Sequence, residues 1–372
     1  MIFRTPQLSP ESLRMADEID SIRARLKYAL ATPMRWLGLL RRNMFARAIR
    51  GSNSIEGYNV TKDDAVAAVA GEEPISAEKE TWEAVSGYRN ALTYVLQLAG
   101  DPYFSYNEGF IRSLHYMMLN YDLARHPGTW RPGPIYVRND AKQEIVYEGP
   151  GADEVPALMA ELVVSLNAPD GTPAIVRAAM GHLNLAMIHP FSDGNGRMAR
   201  CLQTLVLARE GILDPAFCSI EEYLGRNTHE YYSVLADVGG GKWQPANDAT
   251  PWIRFCLAAH FNQAATLLKR THETERVWSE LETMVSALGL PDRVIFALSD
   301  ATFGYRVRNA TYRTVAEISE SLASRDLKLL VENGLLTPDG EKRGRVYVAS
   351  DKLRSLRERT REPKPAYRPV LP

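Results

Sequence analysis

The 372-residue chain has only three cysteines, Cys201, Cys218 and Cys256, and no CxxC pair. An odd, scattered set excludes a disulfide framework and a cysteine-based zinc site, and reduced thiols are expected. No apolar run approaches the ~18–20 residues that span a bilayer. Met1 to Pro10 holds no apolar stretch followed by a small-residue cleavage site. Together these absences predict a cytoplasmic protein with no membrane partner. Repeats and long low-complexity segments are missing, apart from a basic, Pro-rich tail. Net charge is nearly missing too, at −1, but that balance is an average. Residues 1–50 carry +6, residues 51–300 carry −13 and residues 301–372 carry +6. Overall neutrality therefore does not exclude polyanion partners.

Helical periodicity dominates what is present. Ser9 caps a segment through Ile19, Ile22 and Leu26, and Trp36 to Ile49 reads as a second helix. Thr61 with Asp64 opens an Ala/Val-rich helix that stops near Gly71. Residues 128–148 break the pattern: Ile135 and Val137, then Ile145 and Tyr147, alternate with polar residues around Asn139-Asp140. That alternation predicts a hairpin. Ala174 to Ile188, Arg197 to Arg209, Glu230 to Val238 and Trp252 to Leu268 read as further helices. From about Leu281 the character changes. Thr311 to Ser350 reads as helix, turn, helix and short hairpin, the order of a winged helix-turn-helix.

Chemistry concentrates in His189-Pro190-Phe191-Ser192-Asp193-Gly194-Asn195-Gly196-Arg197-Met198-Ala199-Arg200. A glycine-containing loop at a helix N-terminus forms an anion site from its backbone N–H groups. Arg197 and Arg200, three apart, share one helix face beside it. Asp193 offers a hard oxygen suited to Mg²⁺. His189 can take a proton near neutral pH. This combination suits phosphate-ester chemistry.

The twelve residues resemble the Fic family motif H-P-F-x-[D/E]-G-N-[G/K]-R-x-x-R at every defined position. The resemblance extends from roughly Ser52 to Leu268 and implies a mainly α protein: a helical Fic (Fido) core with a β-hairpin flap, followed by the winged helix-turn-helix. The expected organisation is an N-terminal helical region at 1–100, a catalytic core at 101–275 with its flap at 128–148, a winged helix at 281–350, and a basic tail at 351–372. The resemblance further implies transfer of AMP from ATP to a Ser, Thr or Tyr hydroxyl of a protein. His189 would be the base and Asp193 the Mg²⁺ ligand. Gly194, Asn195 and Gly196 would cradle phosphate, Arg197 and Arg200 would neutralise it, and Tyr231 and Tyr232 would line the adenosine pocket. Kinase-like relatives carry Lys where Gly196 stands. The flap residues Ile135, Tyr136, Val137 and Ile145 would hold the target by strand addition.

Ser52-Asn53-Ser54-Ile55-Glu56-Gly57 matches the family's inhibitory pattern [S/T]-x-x-x-E-[G/N], in which Glu56 would pair with Arg200. The same glutamate could instead serve AMP removal. In the C-terminal part, Ser324, Arg325 and Lys328 would face a DNA major groove, with Arg343 and Arg345 on the wing. The alternative reading is a winged-helix transcription regulator with a nucleotide-sensing core. Self-modification, a homodimer and double-stranded DNA are the remaining expected partnerships.

Overall fold

The computed structural model describes residues 1–30, 34–139, 144–168, 171–211, 215–340 and 345–370. Its helices and strands follow in the order α1 (Pro10–Ala29), α2 (Leu37–Ile55), α3 (Lys62–Ala70), α4 (Lys79–Leu98), α5 (Glu108–Leu119), β1 (Tyr136–Asn139), β2 (Glu144–Glu148), α6 (Val155–Asn167), α7 (Ala174–Ile188), α8 (Asn195–Arg209), α9 (Glu221–Arg226), α10 (Thr228–Gly239), α11 (Thr250–Ala287), α12 (Val294–Thr302), α13 (Asn309–Val315), α14 (Glu320–Glu332), β3 (Leu336–Asp339), β4 (Val346–Ala349) and α15 (Asp351–Thr360). Among the described residues, no helix is long and apolar enough to cross a membrane.

Local signals set several boundaries. The Ser9 hydroxyl accepts from Ser12 N at 3.1 Å, and Thr61 Oγ1 accepts from Asp64 N at 3.0 Å. Gly71 closes α3 at φ +71°, a conformation that glycine reaches without a Cβ clash. The core is built on α7 and α8, which pack on each other and are flanked by α4, α6 and α11. Val176, Leu183 and Ile188 of α7 and Leu205 of α8 have no exposed surface.

Two features depart from the sequence reading. The helix expected to end near Leu268 continues to Ala287, so α11 runs through the boundary placed at 275–281. Its polar stretch reads as an ending, yet Thr271, Glu273 and Thr274 are buried there. Arg357 of α15 pairs with Glu273 at 2.6 Å. The second departure is the tail. Residues 351–360 are α15, and the chain beyond lies along α11, where Asn262 Oδ1 accepts from Arg368 N at 2.9 Å and Asn262 Nδ2 donates to Arg368 O at 2.8 Å.

The predicted hairpin is β1–β2, antiparallel, with a bulge between Val137 and Arg138. Its turn residues 140–143 lie outside the described residues. Residues 241–243 bond to Glu148 of β2, so the opposite edge, β1, is the open one among the described residues. In the C-terminal part, α13, α14 and the antiparallel pair β3–β4 follow one another. This part rests on α2 and α3. Arg42 of α2 pairs with Asp300, Arg306 N donates to Asp63 at 2.8 Å, and Thr311 Oγ1 donates to Glu72 at 3.0 Å.

Candidate active site

A cavity of about 770 Å³ opens between the hairpin, the end of α2, α10 and the loop joining α7 to α8. Ile135, Tyr136, Val137, His189, Asp193, Gly194, Asn195, Gly196, Arg200, Tyr231, Tyr232, Glu56 and Gly57 all line it. The structure thus brings together residues that lie far apart in the sequence. Ile145 does not line the cavity, and its side chain is half exposed on β2.

The loop is rigidly braced. His189 ends α7 in the left-handed region at φ 51°, which turns the chain sharply towards α8. Its Nδ1 lies 3.0 Å from Ala186 O, so that nitrogen carries the proton and Nε2 keeps its lone pair. Burial pushes this imidazole below its ordinary pKa. The Asn195 side chain is bonded to Phe191 twice, accepting from N at 2.9 Å and donating to O at 2.8 Å. It therefore braces the loop. Amides in the first turn of α8 lack intrahelical acceptors by helix geometry. Gly194, at φ +77°, begins that helix, and a Cβ there would meet Leu119 at 2.7 Å.

Both arginines are buried at 1% exposure. Arg197 stands behind the loop, off the cavity lining, with its guanidinium 5.3 Å from the Tyr58 ring centroid and 3.7 Å from Asp193. Arg197 Nε and Nη1 and Arg200 Nη1 have no hydrogen-bond partner among the described residues. Unpartnered buried donors on cations call for an anionic acceptor.

Arg200 is held by α2. Its Nη2 donates to Glu56 Oε1 at 2.6 Å and to Ser52 O at 3.1 Å, and its Nε donates to Ser52 Oγ at 2.8 Å. Burial alone would lower the Arg200 pKa, but Glu56 more than offsets it and raises the value. The Ser52–Gly57 pattern owes its form to a helix ending. Gly57, at φ +85°, donates to Ser54 O at 3.2 Å, and Tyr58 N donates to Asn53 O at 3.0 Å. That is a Schellman motif with Glu56 as its C-cap residue. Gly196 gives the carboxylate room, since a Cβ there would lie 2.5 Å from Glu56 Oε1.

Several supporting residues were not foreseen from the sequence. His115 of α5 stacks on Phe191 with centroids 3.6 Å apart. Its Nδ1 accepts from Gly128 N at 2.8 Å, so Nε2 carries the proton donated to Asp193 O at 2.9 Å. Burial pushes the His115 pKa down to about 4, so the ring is neutral at pH 7. Arg131 ties the hairpin base to the loop, donating to His189 O at 2.8 Å and to Pro150 O at 2.6 Å. Arg125 donates to Asp193 Oδ2 at 2.5 Å and to Tyr58 Oη at 2.9 Å. Burial would raise the Asp193 pKa, but Arg197 and Arg125 hold it below the usual carboxylate value. Behind Ser52 lies Glu221, 1% exposed, which accepts from Tyr88 Oη at 2.6 Å. Only Trp130 and Arg131, placed just ahead of the hairpin, gave any signal in the sequence.

Of the aromatic pair, Tyr231 is buried and Tyr232 is exposed enough to donate to Ile55 O at 3.4 Å. In the C-terminal part, Ser324, Arg325 and Lys328 are exposed on α14, and Arg345 is exposed just before β4. Lys328 pairs with Glu332 at 3.7 Å. Arg343 lies outside the described residues.

A histidine whose Nε2 has no partner among the described residues, a glycine-containing loop at a helix N-terminus and two buried guanidiniums make an arrangement suited to phosphate-ester chemistry. Residues 105–207 match the family model "Fic/DOC family". The chain is 27% identical over 262 residues to "Protein adenylyltransferase Fic" of Nematostella vectensis, an alignment covering 67% of this chain and 55% of the relative. It is 37% identical over 86 residues to "Protein adenylyltransferase fic-1" of Caenorhabditis elegans, covering 23% of this chain and 14% of the relative. The chain thus spans about half, or less, of the length of these curated relatives. The fold is similar to that of a Fic family protein from Desulfovibrio desulfuricans G20, with a TM-score of 0.60 at 23% identity, covering 93% of this chain and 98% of the other. It is also similar to that of a Fic domain containing signaling protein from Bacteroides thetaiotaomicron, with a TM-score of 0.57 at 24% identity, covering 69% and 97%.

Proposed function

We propose that the protein is a self-inhibited protein adenylyltransferase, moving AMP from ATP to a hydroxyl of a protein. The observation that carries this reading is the pair of buried guanidiniums, each with an unpartnered Nη1, beside a histidine whose Nε2 is free. In the reaction, His189 Nε2 takes the proton of the attacking hydroxyl. That oxygen bonds to the α-phosphorus as the bond to the β-bridging oxygen breaks, and diphosphate leaves. Arg197 and Arg200 stabilise the charge on the β- and γ-phosphates, and the α8 amides hold phosphate oxygens.

The donor set also fits Mg²⁺, which is commonly held by one carboxylate, substrate phosphates and water. Asp193 lines the cavity at 39% side-chain exposure, and no cluster of three or more His, Cys, Asp or Glu occurs among the described residues. Asp193 would hold the ion, which when bound neutralises phosphate charge. The open β1 edge above the cavity supports the flap reading, with the target's backbone paired to Ile135–Val137. Glu56 on Arg200 supports the inhibitory reading, because it occupies the guanidinium that a γ-phosphate needs.

The test uses Glu56→Gly with and without His189→Ala, incubated with labelled ATP and Mg²⁺. Label on protein, the chain itself included, that disappears with His189→Ala is the expected result. No label in either, even with lysate added, overturns the transferase reading in favour of a nucleotide-sensing regulator. For the C-terminal part, the exposed face of Ser324, Arg325 and Lys328 favours a winged helix that contacts DNA. A mobility shift near 50 mM salt tests it, and absence of binding to any duplex removes it.

A further inference from the structure

Five polar side chains form a line through the helical core that ends at the cavity, and the transfer chemistry above uses none of the first four. Arg23 of α1 places Nη2 3.1 Å from His260 Nδ1 on α11. Gln203 on α8 sets Nε2 3.0 Å from His260 Nε2 and Oε1 2.5 Å from His182 Nδ1 on α7, an orientation that a half-turn of the amide would reverse. His182 Nε2 lies 2.9 Å from the Tyr231 hydroxyl on α10. All five are buried, from 0% exposure at His182 to 6% at Arg23.

The direction of this line is fixed by its outer end. A guanidinium only donates, so His260 Nδ1 must accept from Arg23. Burial holds the pKa of His260 well below the ordinary value and that of His182 at about 3, so both rings are neutral and each has one N–H. The His260 proton therefore sits on Nε2 and must meet the Gln203 oxygen. Amide oxygen and nitrogen exchange by a half-turn, and the orientation with oxygen towards His260 is the one that gives every member a partner. Gln203 Nε2 then donates to His182 Nδ1, and His182 Nε2 donates to the Tyr231 oxygen. The orientation as it stands, with the amide nitrogen towards His260, sets Arg23 and a His260 N–H donor to donor, which the half-turn relieves. With its oxygen accepting from the core, Tyr231 has its own proton left for the cavity that it lines, beside Arg200 and Glu56.

We propose that this buried line aims the Tyr231 hydroxyl outward as a hydrogen-bond donor to an acceptor atom of the bound nucleotide, with Arg23, His260, Gln203 and His182 as positioning residues that act through it. The inference rests on the nucleotide-site reading above. Without Arg23 the line is free to reverse, and the phenol then donates inward to His182.

The test measures ATP affinity by calorimetry, with Mg²⁺, in the full-length Glu56→Gly/His189→Ala protein, where turnover is blocked. Tyr231→Phe is expected to weaken binding about three- to tenfold, the value of one neutral hydrogen bond. Arg23→Met is expected to reach a similar loss, and Arg23→Lys, still a donor only, to keep the parent affinity. Combined with Tyr231→Phe, Arg23→Met is expected to add nothing. Equal losses from Arg23→Met with and without the Tyr231 hydroxyl overturn the proposal, as does an unchanged affinity in Arg23→Met when Tyr231→Phe has weakened. If Arg23→Met fails to fold, Gln203→Met takes its place, with and without Tyr231→Phe, under the same additivity criterion. A parent protein that binds no ATP at all overturns the nucleotide-site reading instead.

Discussion

Replacing Glu56 with glycine tests the contact that defines the resting state. The ion pair joins Arg200, at 1% exposure, to Glu56 at 27% across 2.6 Å, with the guanidinium fixed on its other side by Ser52. A hydrogen bond to a charged group contributes about 1.5–3 kcal/mol net. A γ-phosphate that must displace the carboxylate meets a barrier raised by that amount, so the substitution is expected to speed AMP transfer roughly ten- to hundredfold. Removing one partner of a buried pair also leaves the other stranded. The same variant should therefore melt at lower temperature without nucleotide and recover with ATP. The assay is the initial rate of labelled AMP incorporation at saturating ATP, with melting followed in parallel. Equal rates for wild type and variant, with both binding ATP, refute the assignment of Glu56 as the brake.

Further expectations follow from the surrounding geometry. Because burial lowers the His189 pKa, the rate should rise with pH on a limb below about pH 6.5 and stay flat through neutrality, which a kcat/KM profile reads. His115→Phe keeps the stacking on Phe191 but loses the bonds to Gly128 and Asp193. It should cost about 1–3 kcal/mol in denaturant titration and slow transfer. His182 is held neutral in the fold, so below about pH 6.5 the unfolded chain binds a proton that the folded one refuses. Stability should fall by about 1.4 kcal/mol per pH unit from this residue as pH drops towards 5, and His182→Gln should remove that part of the slope. Gly51→Ala would put a Cβ 2.4 Å from the Glu221 carbonyl oxygen where α2 crosses α9. Its thermal unfolding should come several degrees earlier, with raised AMP incorporation as the end of α2 shifts.

What the sequence revealed was what is contiguous in it. His189 to Arg200 is one unbroken loop and helix start, so its parts could be read together. Ser52, Glu56 and Gly57 fall within one turn of helix and a cap, again a local pattern. His115, Arg125 and Glu221 could not be read, because each carries no signature of its own and meets a partner more than 60 residues away in the chain. The Tyr231 pair was legible as aromatic, whereas the line behind it required four further elements to meet. The length of α11 was hidden for another reason: Lys269 to Glu275 has the polarity of a helix exit, and Glu273 is buried there with partners that include Arg357 of the docked α15 and the Glu362 amide, both distant in sequence.

Glu56 stands between two helix dipoles that act on it in opposite senses. It caps the C-terminal end of α2, where aligned carbonyls leave partial negative charge, and its carboxylate reaches the first turn of α8, where partial positive charge gathers. Its own helix repels it and the neighbouring helix attracts it, each by about 0.3–1 kcal/mol. The carboxylate is thus a tethered anion resting in a place shaped for phosphate, and its release exchanges one anion for another without exposing bare positive charge. A polyphosphate brings several anionic oxygens to the same turn and has no helix end pulling against it. Charge itself therefore tilts the exchange towards the nucleotide once the end of α2 can move.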